Sequence, residues 1–333
     1  MKERSDLIIG CDWGTTIFRI RIIEINSLKV LAEFDIPEGI GKVNSAFLNS
    51  GEKEDRFTFF SKVIARHLKE IALHVDFEIT GIPIVASGMA SSTIGMKELS
   101  YGGLPFSLNF SSLQSETFEA NDVLPHPLIL VSGLRDVHDV MRGEEVQLLG
   151  LSIVLNEAFE DDSVVILPGT HSKHCFVEKG ELYGFQTFMT GELYQLLAEH
   201  SILHNSVYTT SFTEWSKESS EAFFNGVVQS GNSNMLANLF KVRTNILLDN
   251  MDKKSNAMFL SGLLIGEELR SLTVKSDERP IFICGGKSLN VFYLKAIEAL
   301  NLVHRCRELP DDILTLSTIA GQVEVSKIQK LVL

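Results

Sequence analysis

Leu7-Ile8-Ile9-Gly10-Cys11-Asp12-Trp13-Gly14-Thr15-Thr16-Ile17-Phe18-Arg19-Ile20 decides the fold. An apolar run with β-branched residues leads into an Asp. A Gly between Trp and two threonines follows, and then a second strand-like run. The pattern predicts a hairpin whose turn carries a carboxylate and two hydroxyls. Each group suits a polyphosphate. Asp12 can hold Mg²⁺ through water, because Mg²⁺ keeps several of its own waters beside a carboxylate. Gly14 lets backbone approach phosphate oxygens with no Cβ in the way. Thr15 and Thr16 add hydroxyl and N–H donors. An ordinary Asp-Gly turn accounts for the same residues, so the decision falls to the rest of the chain.

The arrangement returns in mid-chain. Ser163-Val164-Val165-Ile166-Leu167-Pro168-Gly169-Thr170-His171-Ser172-Lys173-His174-Cys175-Phe176-Val177 is again strand, Gly-Thr turn, strand. A third glycine turn ends the buried run Pro280-Ile281-Phe282-Ile283-Cys284-Gly285-Gly286 and opens an amphipathic helix. Its Gly286-Lys287-Ser288 is not a Walker A end, because Ile281 stands where that motif needs Gly. No G-x-G-x-x-G follows the first strand, which argues against a dinucleotide fold.

Strands are predicted at 7–11, 18–25, 28–34, 82–86, 128–131, 163–167, 174–178, 182–188 and 281–284. Helices are predicted at 55–75, 141–157, 190–200, 219–248, 256–272, 288–300 and 316–329. Their mixed order means α/β. Two similar hairpins predict two similar domains, 1–160 and 161–333, divided in the acidic segment 156–162.

The chain has 333 residues, 44% hydrophobic and 22% charged, as in a soluble globular protein. A net charge of -13 without a Lys/Arg block argues against nucleic acid. There is no run of about 18 apolar residues to span a membrane. The polar start, Met1 to Asp6, predicts no signal peptide. Cys11, Cys175, Cys284 and Cys306 lack close spacing and read as free thiols in a reducing compartment, the cytoplasm.

The three turns in this order resemble the actin, hexokinase and heat-shock chaperone ATPase superfamily. The resemblance implies two ribonuclease-H-like domains with mixed five-stranded sheets and flanking helices, and an ATP cleft between them. Four blocks narrow it: Met141-Arg142-Gly143-Glu144-Glu145-Val146-Gln147-Leu148-Leu149-Gly150, Leu167-Pro168-Gly169-Thr170-His171-Ser172-Lys173, Phe188-Met189-Thr190-Gly191-Glu192-Leu193 and Phe259-Leu260-Ser261-Gly262-Leu263-Leu264-Ile265-Gly266-Glu267. Together they resemble the 2-dehydro-3-deoxygalactonokinase family, from about residue 8 to about 290. The chain departs from it at Ile17, Phe18 and Lys287, and Gln186 stands where Arg is expected, which leaves sugar identity open.

The resemblance implies transfer of the ATP γ-phosphoryl group to the terminal hydroxyl of a six-carbon 2-keto-3-deoxy acid, with Mg²⁺. Such transfer needs positioning, charge neutralisation and a group that orients the nucleophile. Asp12 would orient Mg²⁺ and its waters. Gly14, Thr15, Thr16, Gly169 and Thr170 would donate to phosphates, and Gly285-Gly286 would lie flat against adenosine. Related carbohydrate kinases place the catalytic carboxylate at a helix start before the second hairpin. Glu144 falls nearest that place, with Glu145 second; first-turn stability alone explains both.

For the sugar acid, Lys97, Arg142 and Lys173 are the candidate cations, and Ser87 and Ser91 belong to a small-residue loop that resembles the family's sugar side. His171, directly after Gly169-Thr170, is a candidate donor. His171 and His174 have no third ligand nearby, so no zinc is expected. Thr190 reads as a helix cap. Phe223, Phe224, Val227 and Val228 line the apolar side of helix 219–248 as core or as a dimer surface, which leaves a homodimer open. Two other readings stand beside this one: a sugar or sugar-acid kinase of the same superfamily with another acceptor, and a non-catalytic ATP-switched protein.

Overall fold

The computed structural model describes residues 6–51, 53–109, 112–155, 159, 161–208, 215–232, 234–307 and 309–330. The chain divides into two compact units. One comprises Met1–Asp161, Glu178–Gly184 and Ile313–Leu333, and the other Asp162–Val177 and Phe185–Asp312. Of the acidic stretch 156–162, residues 156–158 and 160 lie outside the described residues.

The first unit is built on β1 (Leu7–Trp13), β2 (Phe18–Glu24), β3 (Lys29–Ile36), α1 (Ile40–Asn49), α2 (Arg56–Ile71), β4 (Ile84–Gly88), β5 (Phe106–Ser107), β6 (Ser115–Phe118), β7 (Leu128–Val131), β8 (Leu134–Arg135), β9 (Val140–Met141) and α3 (Glu144–Leu155). Its sheet runs β3-β2-β1-β4-β7-β6. β1 is nearly continuous in apolar residues and buried along almost its whole length, as a strand covered on both faces must be. β3 alternates in exposure, as an edge strand does. On α2 the helical spacing of Phe60, Ile64, Leu68 and Ile71 places them in one core with Ile9, Trp13 and Phe18. Each such side chain contributes roughly 1.5–3 kcal/mol when buried. Asp55 caps α2 by accepting from the Thr58 N–H.

The second unit follows with β10 (Ser163–Leu167), β11 (Ser172–Glu178), β12 (Glu181–Phe188), α4 (Thr190–His200), α5 (Lys217–Ser230), α6 (Met235–Leu248), α7 (Lys253–Leu269), β13 (Ile281–Ile283), α8 (Lys287–Ala299) and β14 (Cys306–Arg307). Its sheet runs β14-β13-β10-β11-β12-β5. The start of β12 belongs to the first unit, where Leu182 pairs with Phe106 of β5. Five strands of each sheet take the order third-second-first-fourth-fifth, with an antiparallel first hairpin and parallel later strands, which is the ribonuclease-H-like arrangement. Each sheet has six strands rather than the expected five. β6 and β5 are the additions, too short to show a period of two in the sequence.

Two further expectations are corrected. Residues 161–333 do not form one domain, since α9 (Ile313–Ile328) belongs to the first unit. Ile313, Ile319, Ala320, Val323 and Val325 lie around most of this helix, so it must be buried on several sides. It approaches α3 at two glycines. A Cβ on Gly150 would stand 1.7 Å from Ser317 O, and one on Gly321 2.1 Å from Val146 O. The predicted helix 219–248 is two helices, because the chain turns at Gly231 and Asn234 caps α6 through the Leu236 N–H. Helix α1 was not predicted. It has no side-chain cap, and Gly41, Asn44 and Ser45 weaken its helical pattern.

Candidate active site

In the first unit, the parallel register of β1 and β4 sets Asp12 beside Ser87 and Trp13 beside Gly88. Both strands end here, and the loops that leave them form one side of the site. Trp13 stacks on Phe18 at 4.0 Å and donates from its indole to Glu38 O, which fixes the start of the turn. Gly39, Ile40 and Gly41 then donate their N–H groups to Thr16, Gly14 and Thr15 carbonyls at 2.9–3.1 Å. The carbonyls are therefore occupied. The N–H and hydroxyl groups of Thr15 and Thr16 find no acceptor among the described residues and face solvent. This is a set of oriented donors that an anion would complete.

Asp12 is 35% exposed at its side chain and lies 3.8 Å from Arg19, which makes a bidentate pair with Asp35. Burial of the carboxyl among surrounding protein atoms pushes its pKa above the ordinary carboxylate range. Arg19 and Arg21 oppose that rise, whereas Glu144 and Asp35 add to it. Asp12 and Glu144 thus sense each other's charge. Among the described residues no three His, Cys, Asp or Glu side chains gather as a metal centre. One carboxylate at an open turn fits Mg²⁺ held mainly by water and phosphate oxygens.

Glu144 and Glu145 open α3 but live in different surroundings. The Arg142 N–H donates to Glu144 at 3.0 Å, and Glu144 is half-buried. Both Glu145 oxygens accept from the Gly143 N–H, at 2.9 and 2.7 Å, and the side chain is fully buried. Burial, followed by the Glu144 charge, pushes the Glu145 carboxyl up to about 8. Gly143 has φ 111°, and a Cβ there would stand 3.2 Å from Gly88 Cα, so only glycine brings the helix start this close to β4.

The candidate cations of this unit have partners. Arg142 donates to Ser91 O and Oγ at 2.6 and 2.5 Å and to Leu99 O at 3.3 Å, and it lies 4.1 Å over the Tyr101 ring. It braces the loop rather than standing free. Lys97 pairs with Glu116 at 2.5 Å. Ser91 is buried under Arg142, and Ser87 is buried, donating to Cys11 O and accepting from Gln322.

In the second unit, Gly169 and Thr170 occupy the turn between β10 and β11, and their N–H groups have no acceptor among the described residues. The N-terminus of α4 packs on this turn. The Glu192 N–H donates to Thr170 O, and a Cβ on Gly191 would stand 2.6 Å from Gly169 O. His171 is exposed and meets Glu192 at 2.5 Å, whereas Lys173 is buried. Thr190 does not cap α4. Its hydroxyl donates to Glu268 at 2.5 Å.

Glu268 is a site residue that sequence reading missed. Its carboxylate is fully buried and accepts from Ser172 at 2.6 Å, Thr190 at 2.5 Å and Tyr293 at 2.8 Å, with His174 Nε2 at 3.1 Å. One carboxylate thereby ties the second turn, the start of α4 and helix α8. Its signal was an acid that follows the apolar run Leu263-Leu264-Ile265 and falls on the buried side of α7. At the third turn the Gly285 N–H donates to Asn290, and a Cβ on Gly285 would meet Asn290 and Pro168. Gly286 faces open space beside a pocket of about 240 Å³ lined by Ile283, Lys287, Asn290, Leu294 and Arg307.

The profile of the family described as 2-keto-3-deoxy-galactonokinase matches residues 12–319. The 2-dehydro-3-deoxygalactonokinase of Escherichia coli (strain K12) is 33% identical over 228 residues, 68% of this chain and 73% of its own. A protein named probable 2-dehydro-3-deoxygalactonokinase DgoK1, from Rhizobium meliloti (strain 1021), is 32% identical over 298 residues, 87% of this chain and 89% of its own. A crystal structure from Sinorhizobium meliloti, provisionally described as a 2-dehydro-3-deoxygalactonokinase, is similar at a TM-score of 0.77 and 28% identity, covering 97% of this chain and 99% of that one.

Proposed function

Because the chain belongs to the 2-keto-3-deoxy-galactonokinase family, we propose that it phosphorylates the terminal (C6) hydroxyl of 2-dehydro-3-deoxygalactonate from ATP, in galactonate catabolism. The observation that carries the chemistry is the packing of the start of α3 on the end of β4, Gly143 against Gly88, which brings Glu144 close enough to act on the charge of Asp12 at the end of β1. Glu144 takes the proton of the C6 hydroxyl as that oxygen bonds to the γ-phosphorus and the bond to the β–γ bridging oxygen breaks. It suits this role better than Glu145, whose buried carboxyl is protonated at neutral pH and already accepts the Gly143 N–H.

Asp12 orients Mg²⁺ through water; when bound, this ion offsets charge on the phosphate oxygens. Thr15, Thr16, Gly169 and Thr170 donate to those oxygens, and Gly285 and Gly286 support adenosine. His171 and Lys173 stand near the transferred group in this reading, and Ser87 and Ser91 shape the sugar side. The compartment is the cytoplasm, consistent with four cysteines that form no disulfide, three of them buried. Phe224 and Val228 of α5 and Leu236 and Phe240 of α6 are exposed apolar residues available to a homodimer, which light scattering after gel filtration would reveal.

The deciding experiment is a coupled ADP assay of the Glu144→Gln variant. A general base contributes about 10²–10⁴-fold, so kcat falls by that factor while the KM for ATP stays within about threefold. A kcat close to wild type would remove Glu144 from the mechanism. Turnover with other sugars alone would favour another kinase of the superfamily. ATP binding with no acceptor-dependent turnover would favour the non-catalytic reading.

A further inference from the structure

The carboxylate of a sugar acid needs a cation, and two candidates in the first unit already have protein partners. A third cation lies nearby. Arg135 is exposed, and its guanidinium has no hydrogen-bond or ion-pair partner among the described residues. Its backbone is well fixed. The Arg135 N–H donates to Gly102 O at 2.8 Å, Leu134 bridges Gly102, and the β8–β9 ladder pairs Arg135 with Val140.

Arg135 lines a pocket of about 590 Å³ with Glu98, Leu99, Ser100 and Tyr101. That volume lies within the range of small-molecule sites, about 300–1,000 Å³. Arg142 braces the Tyr101 and Leu99 wall, with its guanidinium 4.1 Å over the Tyr101 ring and donating to Leu99 O. The Arg142 N–H in turn holds Glu144. Arg142 thus joins the pocket wall, through its side chain, to the proposed base, through its backbone.

We propose that Arg135 binds the carboxylate of the acceptor sugar acid through a two-pronged ion pair, with Glu98 and Ser100 meeting its hydroxyls. A planar guanidinium with unused N–H groups matches a carboxylate in geometry as well as charge. The assignment rests on the kinase reading for the identity of the acid. Arg142 then acts as a positioning residue for the pocket wall.

The test combines kinetics and direct binding with Arg135→Gln and Arg135→Lys. For Arg135→Gln the KM for 2-dehydro-3-deoxygalactonate rises about 30-fold or more, and for Arg135→Lys by less, since charge remains without the fork. The KM for ATP and the melting temperature hold, because Arg135 supports no other side chain. The methyl ester of the acid, which lacks the charge, reacts equally poorly with wild type and Arg135→Gln. A KM change below twofold, or a further loss with the ester, overturns the proposal. Titration calorimetry of the acid without ATP gives an independent reading. If wild type binds the acid and Arg135→Gln does not, the carboxylate site stands even where turnover is absent and the kinase reading has failed. Equal binding by both overturns it.

Discussion

Replacing Glu145 by Gln should stabilise the protein, and by an amount that grows with pH. In the folded protein this carboxyl is fully buried and titrates at about 8, against an ordinary value of 4.5. A raised carboxyl pKa means that the folded state binds the proton more tightly than the unfolded state. Stability therefore falls as pH rises through the window from 4.5 to about 8, and levels off above it. At 1.36 kcal/mol per pH unit, the side chain costs about 3 kcal/mol at pH 7, where folding must protonate it, and about 5 kcal/mol above pH 8, where it stays ionised in the folded protein. Gln keeps the shape and still accepts the Gly143 N–H through its carbonyl, yet cannot ionise. Urea denaturation of wild type and Glu145→Gln at pH 5, 6, 7, 8 and 9 measures the difference, and other titrating groups cancel in it. The gap should be small at pH 5 and widen by several kcal/mol towards pH 8. A gap that stays flat between pH 5 and 8 would refute the reasoning.

Other outcomes follow from the same geometry. Asp12→Asn should lower kcat about 10²–10³-fold, by loss of a charge aimed at the reacting phosphate, with the melting temperature held or raised. Glu268→Ala should cost about 3–5 kcal/mol in denaturation, because it strands Ser172, Thr190 and Tyr293 in a buried space. Glu268→Gln should cost less, about 1–3 kcal/mol, since one acceptor remains. Gly286→Ala should leave stability unchanged, for its Cβ meets nothing within 4 Å. It should still weaken ATP binding about tenfold in calorimetry, a loss of about 1.4 kcal/mol; unaltered binding would separate Gly286 from the nucleotide.

The two hairpins were legible because each begins with a β-branched strand that cannot sit at the surface and ends in a Gly-Thr turn. The strands of β7, β10 and β12 follow the apolar patterns closely. What stayed hidden depended on long-range approach. Nothing local in Gly150 or Gly321 says that each makes room for the other's helix, so α9 was grouped with its neighbours in sequence. Two-residue strands such as β8 carry no period. Cation roles were the least legible. Arg142 and Arg135 lie seven positions apart in sequence, yet folding gives the guanidinium of one three hydrogen bonds and leaves the other open. The Glu268 network was invisible because its partners come from Ser172, Thr190 and Tyr293, widely separated along the chain.

The most direct measurement is the product itself: incubate the purified protein with ATP, Mg²⁺ and each of the galacto and gluco 2-keto-3-deoxy acids, and locate the new phosphate by phosphorus NMR. The account predicts one ADP per acid consumed, with phosphate on the terminal carbon of the galacto compound. ADP release at the same rate with and without either acid, and no phosphorylated sugar, would contradict it.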